Sequence, residues 1–528
     1  MPCSPATKPL PNTCEELFVP CLFLVPGSRR DVSATLARAR LGAWPVVSIV
    51  MAAAAPLTVV AGGATTGYAV TGVTGIPVAY LAVAVALGLS SVGYVAMSRR
   101  VVNSGAFYSY VSRGLGRVPG VGASFVAVVA YATMQIGLYG GFGAVLAGRL
   151  QDWLGWPVPW VVCAFAAWAV IAVLGVRRID FNGRVLAVIL LVEIAAAALF
   201  AVVHLTHPAD GRVTIDTLAP SHLIGAGIGA ALVTAVAGFV GFEGTAVFSE
   251  ESKDPQRTVA KATYRAVAII GLLYAFCAWA MSVATGPERI VEAARADGTD
   301  LIFTLAAPYV GSFVVGLGQA LFVTSLFAAL LAFHHTVARY LFALGRERVL
   351  PAVLGRTSIR TRAPKVGSLV QSTLAASVLV VYAVAGWDPI VHLFFWLTVV
   401  GGLGVLILMT ATSIAVIAYF ARPANHDSIS GWRRVIAPAL AATALLWILV
   451  ATIGQFHTLL GIEPGDPLRW IFPSAYVAAA VLGMLWALLL RTAKPDVYTG
   501  IGRGANSVTT EPAAPSGQPD PASAASGW

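Results

Sequence analysis

Two carboxylic acids lie where a carboxylate is hardest to keep. Glu193 interrupts an otherwise apolar stretch, with eight apolar neighbours on each side, and Glu243 closes the string Phe239-Val240-Gly241-Phe242-Glu243 inside another. An ionisable group at membrane depth is costly and is a functional hypothesis by default. Desolvation disfavours the charged form, so Glu193 is a candidate proton carrier, the bland alternative being a hydrogen-bonded acid that joins helices. Glu243 has two readings: it attracts a substrate cation, or it steadies a half-helix whose N-terminal dipole favours an acid. The main chain is a second source of chemistry. Ala55-Pro56-Leu57-Thr58 falls in the middle of an apolar segment from Trp44 to Tyr68, and the Glu243 string in one from His222 to Ser249. A helix interrupted there leaves N–H and C=O groups bare, which hydrocarbon does not tolerate unless they line a cavity or hold a ligand. Two such interruptions in corresponding places point to a solute site near the membrane midplane.

Other polar residues sit in apolar surroundings and carry weaker signals. Tyr131, Gln135 and Tyr139 recur every four residues and share one helical face, which borders a solute path or forms an interhelical hydrogen-bonding seam. Gln319, the pair Thr324-Ser325 and the pair His334-His335 should face a bundle interior rather than lipid. The Thr324 and Ser325 hydroxyls, with carbonyls from the first break, could build a sodium site, but hydroxyls also bond back to their own helix. Adjacent histidines point about 100° apart on a helix and make a poor metal pair, so no metal site is expected. Phe239 and Phe242 are candidates for a substrate wall or gate, with plain packing as the alternative.

The elements that must position these groups are membrane helices. Hydrophobic residues are 58% of the chain and charged ones 11%, with a mean hydropathy of +0.80; a soluble chain carries about 25% charged residues. Apolar runs of about 20 residues fall near 44–66, 74–97, 120–148, 158–176, 185–205, 222–249, 263–284, 309–342, 366–385, 389–420, 434–457 and 470–491, twelve spans in all. Placing both termini on one side collects 29 of the 34 Lys and Arg there, leaving Arg149, Arg212, Arg289, Arg295 and Arg469 opposite. The positive-inside rule makes that first face cytoplasmic. The net charge of +10 therefore reflects orientation and not a nucleic-acid footprint. Residues 1–43 read as a partly disordered cytoplasmic segment and 496–528 as a disordered cytoplasmic tail rich in Pro, Ser, Ala and Gly. Cys163 and Cys277 stand alone in predicted spans, with no disulfide or zinc spacing.

Three strings carry a family resemblance. Gly93-Tyr94-Val95-Ala96-Met97-Ser98-Arg99-Arg100 continues into Asn103-Ser104-Gly105-Ala106-Phe107-Tyr108; Gly238-Phe239-Val240-Gly241-Phe242-Glu243 is followed by Glu250-Glu251-Ser252-Lys253-Asp254-Pro255; and Arg339-Tyr340-Leu341-Phe342-Ala343-Leu344-Gly345-Arg346-Glu347-Arg348-Val349-Leu350-Pro351 ends the eighth span. In this order, over roughly residues 35 to 495, the chain resembles the amino acid-polyamine-organocation (APC) permeases. The resemblance implies an all-α membrane protein of twelve transmembrane helices. Five plus five form an inverted repeat (about 44–205 and 222–420) with broken helices 1 and 6, and two extra helices follow (about 434–491). It implies alternating access, with spans 1, 3, 6, 8 and 10 around the pathway. It also implies that broken helix 1 offers N–H groups to a substrate carboxylate and broken helix 6 offers carbonyls to its ammonium. The chain departs from the pattern where relatives read Gly-x-Gly: Ala55-Pro56-Leu57 stands there, and Pro56 has no N–H to donate. Some relatives also look as if they carry Lys where Glu193 stands.

The site expected is thus Ala55, Pro56, Leu57, Thr58, Phe239, Val240, Gly241, Phe242 and Glu243, with Tyr131 and Gln135, and Glu193 coupling protons. Thr324, Ser325, His334 and His335 are the possible sodium or polar core. A Gly-Lys-Ser/Thr phosphate loop, a His-Glu-x-x-His pair and a serine elbow are missing from the sequence, so enzymes and pumps fall behind a secondary carrier. The expected function is proton-coupled movement of an amino acid or small amine across the plasma membrane, with no cofactor. Exchange or sodium coupling is the alternative, a transporter-like receptor a distant third class, and a homodimer is compatible.

Overall fold

The computed structural model describes residues 43–504, apart from 102, 104, 178, 248–251, 253, 359, 360, 362 and 426–428. The expectation for residues 1–42 and for the tail beyond 504 lies outside the described residues. The first apolar segment is in pieces: α1 (Ala43–Ala54), a π-helical stretch (Thr58–Ala64) and α2 (Thr65–Thr71). There follow α3 (Ile76–Ser98), α4 (Ala106–Gly114), α5 (Arg117–Leu154), α6 (Trp160–Gly175) and α7 (Ile179–Thr206). The sixth segment is also divided, into α8 (Ile228–Phe239) and α9 (Gly244–Val247). Next come α10 (Pro255–Thr285), the short α11 (Ile290–Asp297) and α12 (Leu301–Ala306), and α13 (Ser312–Arg346). The chain ends with α14 (Lys365–Ala385), α15 (Trp396–Phe420) after a π-helical turn (Pro389–Phe395), α16 (Ala437–Gly454), α17 (Phe456–Leu460), α18 (Ile471–Ala493) and α19 (Pro495–Gly500). Among the described residues nine helices are long and apolar enough to cross a membrane; α6 and the described part of α7 from Leu190 are shorter apolar helices.

Burial sorts these helices into inner and outer. In α8–α9, 94% of an 18-residue stretch is buried, against 28% in α14. Large apolar side chains such as Phe313 and Val384, 80% and 84% exposed, point outward, as expected where the surrounding medium is lipid. The 38 residues of α5 extend about 57 Å, well past the hydrocarbon. Its inner face packs on α13, α15 and α18 and on the amphipathic α4. Close approach is made by small residues: a Cβ on Gly114 of α4 would meet the Ala415 carbonyl of α15 at 2.2 Å.

Order continues further toward the C-terminus than composition suggests. Expected disorder from 496 onward is corrected for 496–504, where α19 and the following turn dock on α4 and on the end of α13. Glu347, 3% exposed, accepts backbone N–H bonds from Gly502 and Gly504, both 2.7 Å, and a bond from Asn103 Nδ2 at 3.1 Å. The Tyr108 hydroxyl also donates to it. Gly502 and Gly504 adopt φ of +76° and +62°, left-handed turns that aim two alternate N–H groups at one carboxyl. Arg113 Nε donates to the Gly502 carbonyl at 3.1 Å, and the Arg117 guanidinium lies 5.3 Å from the Tyr498 ring centre. Glu347→Ala leaves four donors without their acceptor. It should cost about 2–4 kcal/mol and speed proteolysis within 495–504; a variant as stable and protease-resistant as the parent would show the strap is held otherwise.

Candidate functional site

The first break is caused by Pro56, which cannot pair with the carbonyl of Ala52 four residues earlier. Ala55 takes the turn with φ +42°, a conformation an alanine adopts only under strain. Its N–H still bonds to Met51 O at 3.0 Å, and its carbonyl accepts from Val59 N at 3.0 Å. The N–H groups that begin the second half are satisfied from other helices. The Glu193 carboxyl of α7 faces Leu57 N–H and the Ser325 side chain of α13; Ser325 Oγ accepts Thr58 N–H at 3.2 Å. Tyr274 of α10 donates to the Ala54 carbonyl at 2.6 Å. Glu193 and Ser325 are 1% and 0% exposed, so a half-helix N-terminus with its positive dipole end is neutralised inside the protein.

The second break is built on Gly241, whose φ of +120° only glycine adopts freely. The Glu243 carboxyl folds back over it. Oε2 accepts Gly241 N–H at 3.0 Å and Oε1 accepts the Tyr131 hydroxyl at 2.5 Å, while the Glu243 carbonyl receives Tyr94 Oη at 2.7 Å. The carboxyl bonds Gly241 N–H and the Tyr131 hydroxyl rather than the N–H groups that begin α9. Phe239 turns away from the break and stacks among Tyr80 and Tyr274, centroids 6.4 and 6.2 Å away.

The two breaks meet. A Cβ on Gly241 would lie 2.6 Å from Ala53 Cβ and 3.3 Å from Ala54 N. Beside this junction is a cavity of about 60 Å³, space for a handful of waters or a small solute. The first, third, sixth, eighth and tenth apolar segments line it: Ala53 to Ala55 and Thr58; Met134 and Leu138; Thr234, Ala237 and Gly238; Ala329 and Phe333; and Phe394, Phe395, Thr398 and Val399. Among the expected residues, Ala55 and Thr58 line it, whereas Pro56, Leu57, Val240, Gly241, Phe242 and Glu243 form the framework behind. The Thr58 hydroxyl is buried without a hydrogen-bond partner.

The other polar residues separate into different roles. Gln135 joins a seam away from the cavity: its Nε2 reaches Tyr139 Oη at 3.2 Å and His334 Nδ1 at 3.1 Å, and its Oε1 accepts from Gln371 at 2.5 Å. His334 Nε2 continues to Ser368 Oγ at 2.7 Å. The His335 carbonyl accepts from Arg339 at 3.1 Å. Thr324 does not join Ser325 at the break; it is exposed and its hydroxyl donates to Leu321 O at 2.9 Å. Sequence reasoning missed Tyr94, Tyr274 and Phe394. Two of them donate to carbonyls across helices, and nothing in a tyrosine's local sequence marks its distant partner.

A family model described as amino acid permease matches residues 41–484. The low-affinity putrescine importer PlaP of Escherichia coli (strain K12) is 24% identical over 346 residues, 63% of this chain and 72% of the relative. The branched-chain amino acid permease BcaP of Lactococcus lactis subsp. cremoris is 25% identical over 303 residues, 54% and 64% of the two chains. The methylthioribose transporter of Bacillus subtilis is 24% identical over 398 residues, 71% and 80%.

The Gly241 contact generates a test. Gly241→Ala adds a methyl group in a disfavoured conformation against Ala53 and should destabilise the protein by about 2 kcal/mol or more. Thermal unfolding in detergent measures it; an unchanged melting temperature would mean that the breaks are not in close contact.

Proposed function

Because this chain belongs to the amino acid permease family, we propose that it is a secondary active carrier of an amino acid or related small amine. It works by alternating access across the plasma membrane, with twelve spans in the five-plus-five inverted repeat and two additional helices. The observation that carries this reading is the meeting of two interrupted helices over a small buried cavity, the arrangement that puts main-chain dipoles around a midplane solute. Among the relatives, one is named for a diamine and another for branched-chain amino acids, so both solute classes are within reach of this architecture. The excess of Lys and Arg on one set of loops supports cytoplasmic termini.

Proton coupling rests on Glu193. As a carboxylate it is a strong acceptor for Leu57 N–H and Ser325 Oγ–H, tying α7 and α13 to the first break. Protonation removes the charge from that acceptor and frees these helices to separate from the break. A proton taken up on one side and released on the other thereby biases the conformational equilibrium, and the solute adds its own bias. Sodium is the weaker reading, because Thr324 points away from the break. Glu193→Gln keeps the shape and an acceptor but fixes the neutral form. In proteoliposomes with an imposed pH gradient, concentrative uptake should fall at least about tenfold, with exchange of internal for external solute retained. Unaltered concentrative uptake with unaltered pH dependence would remove Glu193 from coupling.

A further inference from the structure

The identity of the solute follows from counting the hydrogen-bonding groups that the two breaks leave over. Every N–H that could greet an anion is already used within the protein. At the first break Ala55 N–H goes to Met51 O and Val59 N–H to Ala55 O. Pro56 has none, Leu57 N–H faces the Glu193 carboxyl, and Thr58 N–H is held by Ser325 Oγ. At the second, Val240, Phe242 and Gly244 N–H bond to the carbonyls of Ala237, Phe239 and Gly241. Gly241 N–H goes to the Glu243 carboxyl, and Glu243 N–H lies beside its own carboxyl. The hydroxyls of Thr234 and Thr398, on the cavity wall, donate to Ala230 O and Phe394 O at 2.9 and 2.7 Å. Among the described residues no Lys, Arg or His lines the cavity.

Acceptors are left over instead. The Ala53 carbonyl has lost its helical partner, since Leu57 N–H turns to Glu193, and the Gly238 carbonyl has lost Phe242 N–H to Phe239 O. Both residues line the cavity at the C-terminal, negative ends of α1 and α8. Thr58 Oγ1 stands there, 4% exposed and without a partner. The rest of the wall is apolar, with the aromatic side chains of Phe333 and Phe394 in its lining. A carboxylate in this space would be desolvated with no main-chain donor left for it, which is strongly unfavourable.

Resting on the carrier reading above, we propose that the cavity takes a small organic ammonium with an apolar body and no carboxylate, its ammonium held at Thr58. Glu193 is then the specificity-determining residue. It occupies, from within the protein, the anion position at the start of the second half-helix that a substrate carboxylate would need.

The test compares pairs that differ only by the carboxylate. Purified protein in proteoliposomes is assayed for uptake of radiolabelled 3-methylbutylamine against leucine, and phenethylamine against phenylalanine, with the corresponding alcohols as unlabelled competitors. Each amine should half-saturate at a concentration at least about tenfold below its parent amino acid, and the alcohols should not compete. Thr58→Val should raise the half-saturating amine concentration about tenfold with an unchanged melting temperature. Amino acids carried better than their amines would overturn the inference and leave the carrier reading standing. Equal competition by the alcohols would show that charge is not read, and thermal stabilisation by sodium chloride alone that the acceptors serve an inorganic ion. If no solute of a wider amino acid and amine panel is carried by the folded protein, the carrier reading falls and takes this inference with it.

Discussion

Main-chain polar groups cannot be left bare in hydrocarbon, and this constraint organises the centre of the molecule. Each interrupted helix needs an acceptor for N–H groups that no longer have a carbonyl one turn back. The protein meets the need twice with a carboxyl. At the first break it comes from another helix, Glu193 of α7; at the second it comes from the break itself, Glu243 folding onto Gly241 N–H. Both acids are buried at costs that only such bonds offset. The breaks are therefore held in shape by the protein's own groups, and what remains for a solute is the surplus of carbonyl and hydroxyl oxygens.

The supports of the two breaks come from different helices. The first is tied to α7, α13 and α10 through Glu193, Ser325 and Tyr274. The second is tied to α5 and α3 through Tyr131 and Tyr94. Between the breaks the contact is Gly241 against Ala53, one small apolar surface on another. The two groups of helices are also joined by a directional bond, Gln135 of α5 to His334 of α13, while the breaks themselves meet through dispersion contacts. Dispersion has little directional preference, so relative movement there costs less than movement within either group.

What was legible in the sequence was whatever breaks a local rule. Pro56 within an apolar run, Gly241 beside an acid, and Glu193 among sixteen apolar neighbours all violate the expectation for a plain membrane helix, and all three lie at the centre of the structure. Residues that obey local rules were harder to place. Thr324 and Ser325 are chemically alike and adjacent, yet helical rotation sends one outward and the other to the break; no neighbouring residue records which. Gln135 shares a face with Tyr131, but a single helical turn separates the residue that braces Glu243 from the one that joins the seam to His334. The ordered stretch to 504 was hidden for another reason. Its composition is that of a disordered tail, and its order comes from distant partners, chiefly the buried Glu347, about 150 residues away in sequence, with Arg113 and Arg117.

That acceptor is connected to the site by an unbroken series of contacts. Tyr94, which bonds the Glu243 carbonyl, packs edge-on against Phe107 and Tyr110 of α4, centroids 5.8 and 5.1 Å away. Tyr108, on the same short helix, donates to Glu347, which clasps the Gly502 and Gly504 N–H groups. The helix α4 is consequently fastened on one side beneath the second break and on the other to the C-terminal strap. A path opening on this face must part Tyr94 from α4 or the strap from Glu347. The second separation exposes a charged acceptor and several donors together, so it costs more than a slip of apolar surfaces unless water reaches them as they part. Hydrophobic contact thus lies at the centre, where the breaks meet, and a cluster of hydrogen bonds to Glu347 lies at the rim.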